Sequence, residues 1–218
     1  MSYDDPNRRP IAAREMKFSQ VWAKRLADSG MTANSISVWS IVFGVLAGIC
    51  LYFTSVVSEY HSLLYVGCAC SAMMRLLCNM FDGMVAIATG TSSAVGELYN
   101  EVPDRVSDTA IFIGAGYAAG GHPELGLAAA LAAMLTAYVR TTGKGAGTHH
   151  EFCGPFAKQQ RMFLVIVACL YLSVGPDVQF AWLSGGGVLA LLLLVITIGS
   201  VITSWRRLVK ISAALQQN

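Results

Sequence analysis

The stretch NMFDGMVAIATGTSSAVGELYNEVPD, running from Asn79 to Asp104, decides how this chain is read. It sets Asp82, Glu97, Glu101 and Asp104, with Asp108 just beyond, among long apolar runs. On a helix, Asn79, Asp82, Gly83 and Ala86 share one face. Gly96, Asn100, Asp104 and Asp108 recur at every fourth residue and make a second stripe. The polar "TGTSSAV" between the two stripes predicts a short turn, so the helices are expected to run antiparallel with their polar faces opposed.

Composition supplies the surroundings. Of the 218 residues, 55% are hydrophobic and 13% are charged, against about 25% charged in an ordinary soluble domain. That deficit points to a polytopic membrane protein, with membrane lipids as neighbours and no nucleic-acid partner. Each helical span needs roughly 20 largely apolar residues. Six segments fit, near 34–55, 62–88, 97–119, 123–143, 159–175 and 180–204. The expected fold is therefore all-α and integral to the membrane, with six transmembrane helices behind an N-terminal amphipathic juxtamembrane helix. In that reading 1–31 is a cytoplasmic segment, 32–205 the membrane domain and 206–218 a cytoplasmic tail.

Residues 1–30 lack the apolar run of a signal peptide at signal-peptide distance. Met16 to Asp28 reads as an amphipathic helix, with Phe18, Val21, Trp22 and Leu26 on one face and Lys17, Lys24 and Arg25 on the other. Gly30 is the expected stop, and Asn34 or Ser35 the expected cap of the first span. Basic residues precede the first span (Arg8, Arg9, Arg14, Lys17, Lys24, Arg25), flank the fourth-to-fifth connection (Arg140, Lys144, Lys158, Arg161) and follow the sixth span (Arg206, Arg207, Lys210). The connections near 56–61, 120–123 and 175–180 contain no Lys or Arg. The positive-inside rule then puts both termini and the acidic stretch at the cytoplasmic face, of a bacterial inner membrane in this reading.

Acids within a membrane segment are costly, so the default reading of this stretch is functional. Oxygen ligands on two helices suit a hard cation, Mg2+ or Mn2+, bound together with substrate phosphates. Gly83, Ala86 and Gly96 leave space for a ligand or for close helix approach. Pro103 deprives the Tyr99 carbonyl of its helical donor. Arg75 lies one turn deeper than Asn79, and Asp108 one turn deeper than Asp104, which predicts an Arg75–Asp108 ion pair. The Gly44-x3-Gly48 pair suits close helix packing, within the chain or at a homodimer interface. The six cysteines read as free thiols and the adjacent His149 and His150 as loop residues; SGGGV (184–188) reads as opening the last span.

The acidic stretch resembles the signature of the CDP-alcohol phosphotransferase (CDP-alcohol phosphatidyltransferase) family, Asp-x2-Asp-Gly-x2-Ala-Arg-x8-Gly-x3-Asp-x3-Asp. Asp82, Gly83, Ala86, Gly96 and Asp104 match with every spacing intact. Asn79 and Asn100 stand at the first and third Asp positions, and Ile87 stands for Arg. TANSIS (32–37), AYVRT (137–141) and KQQR (158–161) are similar to further family stretches at the start of the first span, the end of the fourth and the start of the fifth. The resemblance implies transfer of a phosphoalcohol group from a CDP-linked donor to an acceptor hydroxyl, with release of CMP; the expected partners are a CDP-linked lipid donor and a small alcohol acceptor. It implies Asp104 as the base that deprotonates the acceptor, and Asp82, with Asn79, Asn100 and Asp104, as metal ligands. Gly83, Ala86, Gly96 and Thr91 of the turn would receive the cytidine nucleotide.

The two Asn residues leave only two carboxylates where four would balance two divalent ions. Glu101 and Asp108, each one turn from a motif position, are additional candidate ligands; a single metal is the other solution. Arg140, Lys158 and Arg161 converge on the same membrane depth and form a candidate site for an anionic acceptor. The leading function is transfer of a phosphatidyl group from CDP-diacylglycerol to a small polar or phosphorylated alcohol in phospholipid biosynthesis. Transfer from a soluble CDP-alcohol to a lipid hydroxyl, a non-catalytic family descendant and an ion or proton transporter are the alternatives. Clustering of the acids at one depth argues against a transport route, and intact Asp82 and Asp104 argue against loss of catalysis.

Overall fold

The computed structural model describes residues 14–91, 94–148 and 151–216, with the backbone alone at 94, 95, 97 and 100. His149 and His150, and Arg8 and Arg9, lie outside the described residues. The described chain forms a short helix α1 (Lys17–Asp28) and six longer ones: α2 (Ala33–Thr54), α3 (His61–Ala88), α4 (Ala94–Tyr117), α5 (Pro123–Gly145), α6 (Lys158–Val174) and α7 (Val188–Leu215). Four stretches are long and apolar enough to cross a membrane: Ala33–Thr54, Ser58–Ala88, Pro123–Gly145 and Val188–Leu215. The chain is an integral membrane protein. Between these, α4 carries the acidic stripe and α6 has 17 residues.

Local chemistry sets the helix ends. Gly30, at φ +81°, lets the chain leave α1 while the Met31 N–H closes back on the Leu26 carbonyl. The cap of α2 is Thr32 and neither Asn34 nor Ser35: Thr32 is extended, and its Oγ1 accepts the Ser35 N–H at 3.2 Å. The last helix begins at Val188, later than hydropathy alone suggests. Residues before it fold into a small turn, with Phe180 bridged to Gly186 and Ser184 and Gly185 at positive φ. Asp177 then accepts the Val188 N–H at 2.9 Å and satisfies one of the first donors of α7. That helix continues to Leu215, well past the apolar run.

Small residues hold the bundle together. Lipid tails are as apolar as leucine, so helix association in a membrane relies on close packing and polar contacts more than on hydrophobic burial. α2 packs on α3 and α4, α5 on α4 and α7, and α6 on α3. A Cβ on Gly44 would stand 2.4 Å from the Ser107 Cβ, and one on Gly48 would stand 2.3 Å from the Ala110 carbonyl oxygen. The Gly44-x3-Gly48 pair is thus occupied within the chain, against α4, and does not form a dimer face. Gly126 of α5 meets Gly116 of α4 nearly as closely, with a Cβ on Gly126 standing 2.8 Å from the Gly116 Cα. Buried Ala129, Ala130, Ala133 and Ala137 carry the same thin packing along α5. Cys68 and Cys169 touch between α3 and α6, Sγ to Sγ 3.5 Å, and all six cysteines are free.

On α1, the small Ser19 and Ala23 are buried, and Ala23 packs with Met80 and Met84 of α3. Phe18, Val21 and Trp22 are exposed. Outward-facing Val38, Trp39, Val42, Leu46 and Ile49 give α2 an apolar outer surface.

Gly48→Val should lower the detergent melting temperature strongly, since overpacking a tight contact costs about 1–3 kcal/mol or more. Gly145→Ala, where nothing lies within 4 Å of the new methyl, should leave it unchanged or slightly raised. Thermal scans monitored by size-exclusion chromatography provide the comparison.

Candidate active site

The polar faces of α3 and α4 do meet, and α2, α5 and α6 add groups to them. Two layers of charge result. The deeper layer is centred on Asp108. Its Oδ1 accepts from Arg75 Nη2 at 2.5 Å and its Oδ2 from Arg161 Nη2 at 2.8 Å. Arg75, Asp108 and Arg161 are all almost completely buried. Arg161 also donates to the Phe156 carbonyl at 2.8 Å and to the Thr136 hydroxyl at 3.3 Å. The expected Arg75–Asp108 pair is present, as part of a triad spanning α3, α4 and α6.

One turn toward the helix ends, Asp104 is the centre of the second layer. Its Oδ2 accepts from Lys158 Nζ at 2.5 Å, and its Oδ1 from Asn79 Nδ2 at 3.2 Å and Arg75 Nη2 at 3.4 Å. The Lys158 ammonium also donates to Asn79 Oδ1. Asp82 lies close by on α3. The Ser37 hydroxyl, from the first turns of α2, donates to its Oδ2 at 2.8 Å. Its Oδ1 is buried and has no hydrogen-bond partner.

The outer edge is formed by Glu101. Its Oε2 accepts from Arg105 Nη2 at 3.1 Å and its Oε1 from Arg140 Nη2. The Arg140 guanidinium also lies over the Phe152 ring, 5.4 Å from its centroid. The loop after α3 is held locally: the Thr91 N–H bonds the Ala86 carbonyl at 3.0 Å, and the Thr89 and Thr91 hydroxyls are 2.8 Å apart.

The structure therefore brings together Asn79, Asp82, Asp104 and Lys158. It separates the three cations grouped by sequence as an acceptor pocket. Arg161 is sealed in the Asp108 triad, Lys158 sits between Asp104 and Asn79, and only Arg140 reaches the outer edge. Glu101 and Asp108, offered as extra metal ligands, have their oxygens committed to arginines: Glu101 to Arg105 and Arg140, Asp108 to Arg75 and Arg161. The Asn100 side chain lies outside the described residues. Ser37 and Arg105 were not singled out as site residues. Ser37 lies in the TANSIS stretch and only tertiary contact brings it to Asp82, whereas Arg105 reaches Glu101 within α4 at i,i+4, a spacing present in the sequence. A separate apolar groove of about 430 Å³ at the start of α6, lined by Phe156, Gln159, Gln160 and Phe163 among others, includes none of the acidic residues.

The donor set can be tested against a divalent ion. Mg2+ and Mn2+ require oxygen ligands, with carboxylates supplying the compensating charge. Among the described residues, no three His, Cys, Asp or Glu side chains are grouped as a ligand set. The oxygens of Asp104 and Asn79 that face each other are bridged by an ammonium ion. The orphaned Oδ1 of Asp82 remains as a buried anionic oxygen without a donor. The chemistry of Asp82 Oδ1 suits a hard cation, whereas the Asp104–Asn79 pair already holds the Lys158 ammonium.

Asp108→Leu should be severely destabilising, because it strands two buried guanidiniums; losing one partner of such a group costs about 3–5 kcal/mol. The triple change Arg75→Met, Asp108→Leu, Arg161→Met should recover most of the melting temperature, since removing all the charges together is close to neutral. Additive losses would mean that the triad does not act as a unit.

No family model matches the chain. It is 20% identical over 207 residues to the inner membrane protein YnbA of Escherichia coli, covering 95% of this chain and 97% of that protein. It is 26% identical over 185 residues to the phosphatidylinositol phosphate synthase of Mycobacteroides abscessus, covering 82% and 80% of the two chains. The archaetidylinositol phosphate synthase of Aeropyrum pernix is 27% identical over 138 residues, 63% of this chain and 67% of that one. Among solved structures, the Mycobacterium tuberculosis phosphatidylinositol phosphate synthase PgsA1 with CDP-DAG bound superposes with a TM-score of 0.71 at 19% identity, covering 90% of this chain and 94% of that one. The same protein with manganese and citrate gives 0.70 at 19% identity, with coverage of 89% and 88%. The chain thus shares the fold of PgsA1 and is similar in sequence to an archaetidylinositol phosphate synthase and a phosphatidylinositol phosphate synthase.

Proposed function

We propose that this protein transfers a phosphatidyl group from CDP-diacylglycerol to the hydroxyl of a small polar or phosphorylated alcohol, releasing CMP. The observation that carries this reading is one cluster at one end of the bundle: a buried carboxylate with an open oxygen, Asp82, beside a second carboxylate, Asp104, within a ring of cations. The likeness to phosphatidylinositol phosphate synthases supports the donor and the class of acceptor.

In this reading six helices, α2 to α7, span a bacterial inner membrane. α4 and α6 cross with apolar outer faces, Val102 and Val106 on one and Phe163, Val167 and Leu170 on the other, while the buried charges they carry are paired inside the bundle. The basic helix ends place the termini and the site at the cytoplasmic face. There α1 lies along the membrane with Phe18, Val21 and Trp22 in the headgroup region.

Asp104 removes the acceptor's proton as its oxygen attacks the phosphatidyl phosphorus. The bond from that phosphorus to the bridging oxygen breaks, and CMP leaves with the electron pair. A carboxylate positioned this way contributes about 10²–10⁴-fold in rate. Asp82 would hold a divalent ion, with Ser37 fixing the orientation of the carboxylate. Such an ion supplies charge neutralisation to the pyrophosphate and to the departing CMP. Gly83, Ala86 and Gly96 give the nucleotide its close approach, and Thr91 presents its hydroxyl and carbonyl to the base. Arg140 and Arg105, held by Glu101 at the outer edge, receive the anionic part of the acceptor. Arg161 supports the frame beneath them.

The decisive experiment is an acceptor panel with CDP-diacylglycerol, scored by CMP release and product lipid mass. One small alcohol should give a metal-dependent new phospholipid; turnover only with a soluble CDP-alcohol, or with none, would overturn this assignment. Asp104→Asn should lower transfer by about 10²–10⁴-fold while Mn2+ and CMP binding persist. Arg140→Ala should raise the acceptor's KM about tenfold, the weight of one charge-assisted hydrogen bond of about 1.5 kcal/mol, and leave the donor's KM near wild type. Equal changes for both substrates would make Arg140 only the partner of Glu101.

A further inference from the structure

We propose that the ammonium of Lys158 is a tethered cation that takes the seat of a second metal ion, so that the enzyme binds a single divalent ion, at Asp82. The inference rests on the transferase reading of the site and specifies its cation requirement. Three observations carry it.

The first is placement. Lys158 opens α6, but its side chain crosses to the interface of α3 and α4, where Nζ donates to Asp104 Oδ2 at 2.5 Å and to Asn79 Oδ1. Those oxygens come from the two helices that present the acidic stripes. A cation shared by oxygens of both helices is what a bridging metal would be, and here a protein group supplies it.

The second is charge. Asn79 is a neutral ligand, so the seat between it and Asp104 offers one negative charge. A monovalent ammonium balances that charge; a divalent ion would leave an excess. Nearby, Arg75, Arg105, Arg140, Lys158 and Arg161 already exceed Asp82, Glu101, Asp104 and Asp108 by one positive charge. Two divalent ions added to these described groups would meet repulsion from that excess.

The third is the contrast with Asp82. That residue is 4% exposed, and its Oδ1 has no hydrogen-bond partner. Leaving a buried carboxylate oxygen unpaired is expensive, and a hard cation completed by substrate phosphate and water is the ligand that suits it. The two halves of the site are thus unequal: one carries its own cation, and the other has an oxygen unsatisfied.

Mn2+ alone, titrated into the purified full-length protein in detergent and counted by electron paramagnetic resonance and calorimetry, tests the inference without reference to turnover. The wild type should saturate at one ion per chain. Asn79→Asp should remain at one, because the new carboxylate pairs with Lys158. Asn79→Asp combined with Lys158→Met should bind two, because the seat is then anionic and vacant. Two ions or none in the wild type, two in Asn79→Asp alone, or one in a folded double variant would each overturn the inference. Should the double variant not fold, the wild-type and Asn79→Asp counts decide. Transfer by a wild type that binds two ions would refute the tethered cation and leave the transferase standing. One bound ion with no CMP release for any acceptor would do the reverse.

Discussion

The buried Arg75–Asp108–Arg161 triad is the constraint around which the rest is arranged. Two guanidiniums and one carboxylate, almost wholly buried, have no alternative partner in lipid. They fix α3, α4 and α6 at one relative depth, because an axial shift of one turn would separate all three charges. Coulomb attraction in a low-dielectric interior makes that register steep. It is the registry role for which buried ion groups are best attested. Asp104 and Lys158 then sit one turn above Asp108 and Arg161 on the same helices, so their meeting follows from the triad below.

Glycine and alanine make the triad reachable. Side chains of moderate length bridge three helices only when the backbones approach closely, and Gly44, Gly48 and Gly126 permit that approach along α4. The same packing brings Ser37 of α2 within 2.8 Å of Asp82 and the Ser107 hydroxyl within 3.3 Å of the Ser40 carbonyl. Thin packing on one side and long cationic side chains on the other leave the polar site at the ends of α3 and α4. It is enclosed by protein rather than exposed to lipid, which is the condition for keeping such charge at membrane depth.

The amide of Asn79 fits this arrangement. An asparagine can donate and accept at once, and Asn79 does both, giving Nδ2 to Asp104 and receiving Lys158 at Oδ1. An aspartate there would offer no donor to Asp104 and would place two carboxylates against one ammonium. The amide closes a short network in which each polar atom has a partner. Among the described carboxylates of this cluster, Asp82 keeps a buried oxygen without a hydrogen-bond partner.

The sequence by itself determined the helical class, the positions of the long helices to within a few residues for most, and the identity of the polar face. Hydropathy and four-residue spacing are local properties, so Asp82, Asp104 and the Arg75–Asp108 pair were legible from them. Local signals did less well where a backbone turn overrides hydropathy: α7 starts at Val188 because Ser184 and Gly185 reverse the chain, and α2 is capped by Thr32. Only the tertiary structure decided how the cations are shared. Arg140, Lys158 and Arg161 look equivalent along the chain, each a basic group at a helix end. Packing gives them different carboxylates, Glu101, Asp104 and Asp108, at different depths. Which acid each meets depends on helix rotation and separation, set by glycine contacts many residues away, and no spacing rule within one helix contains that information.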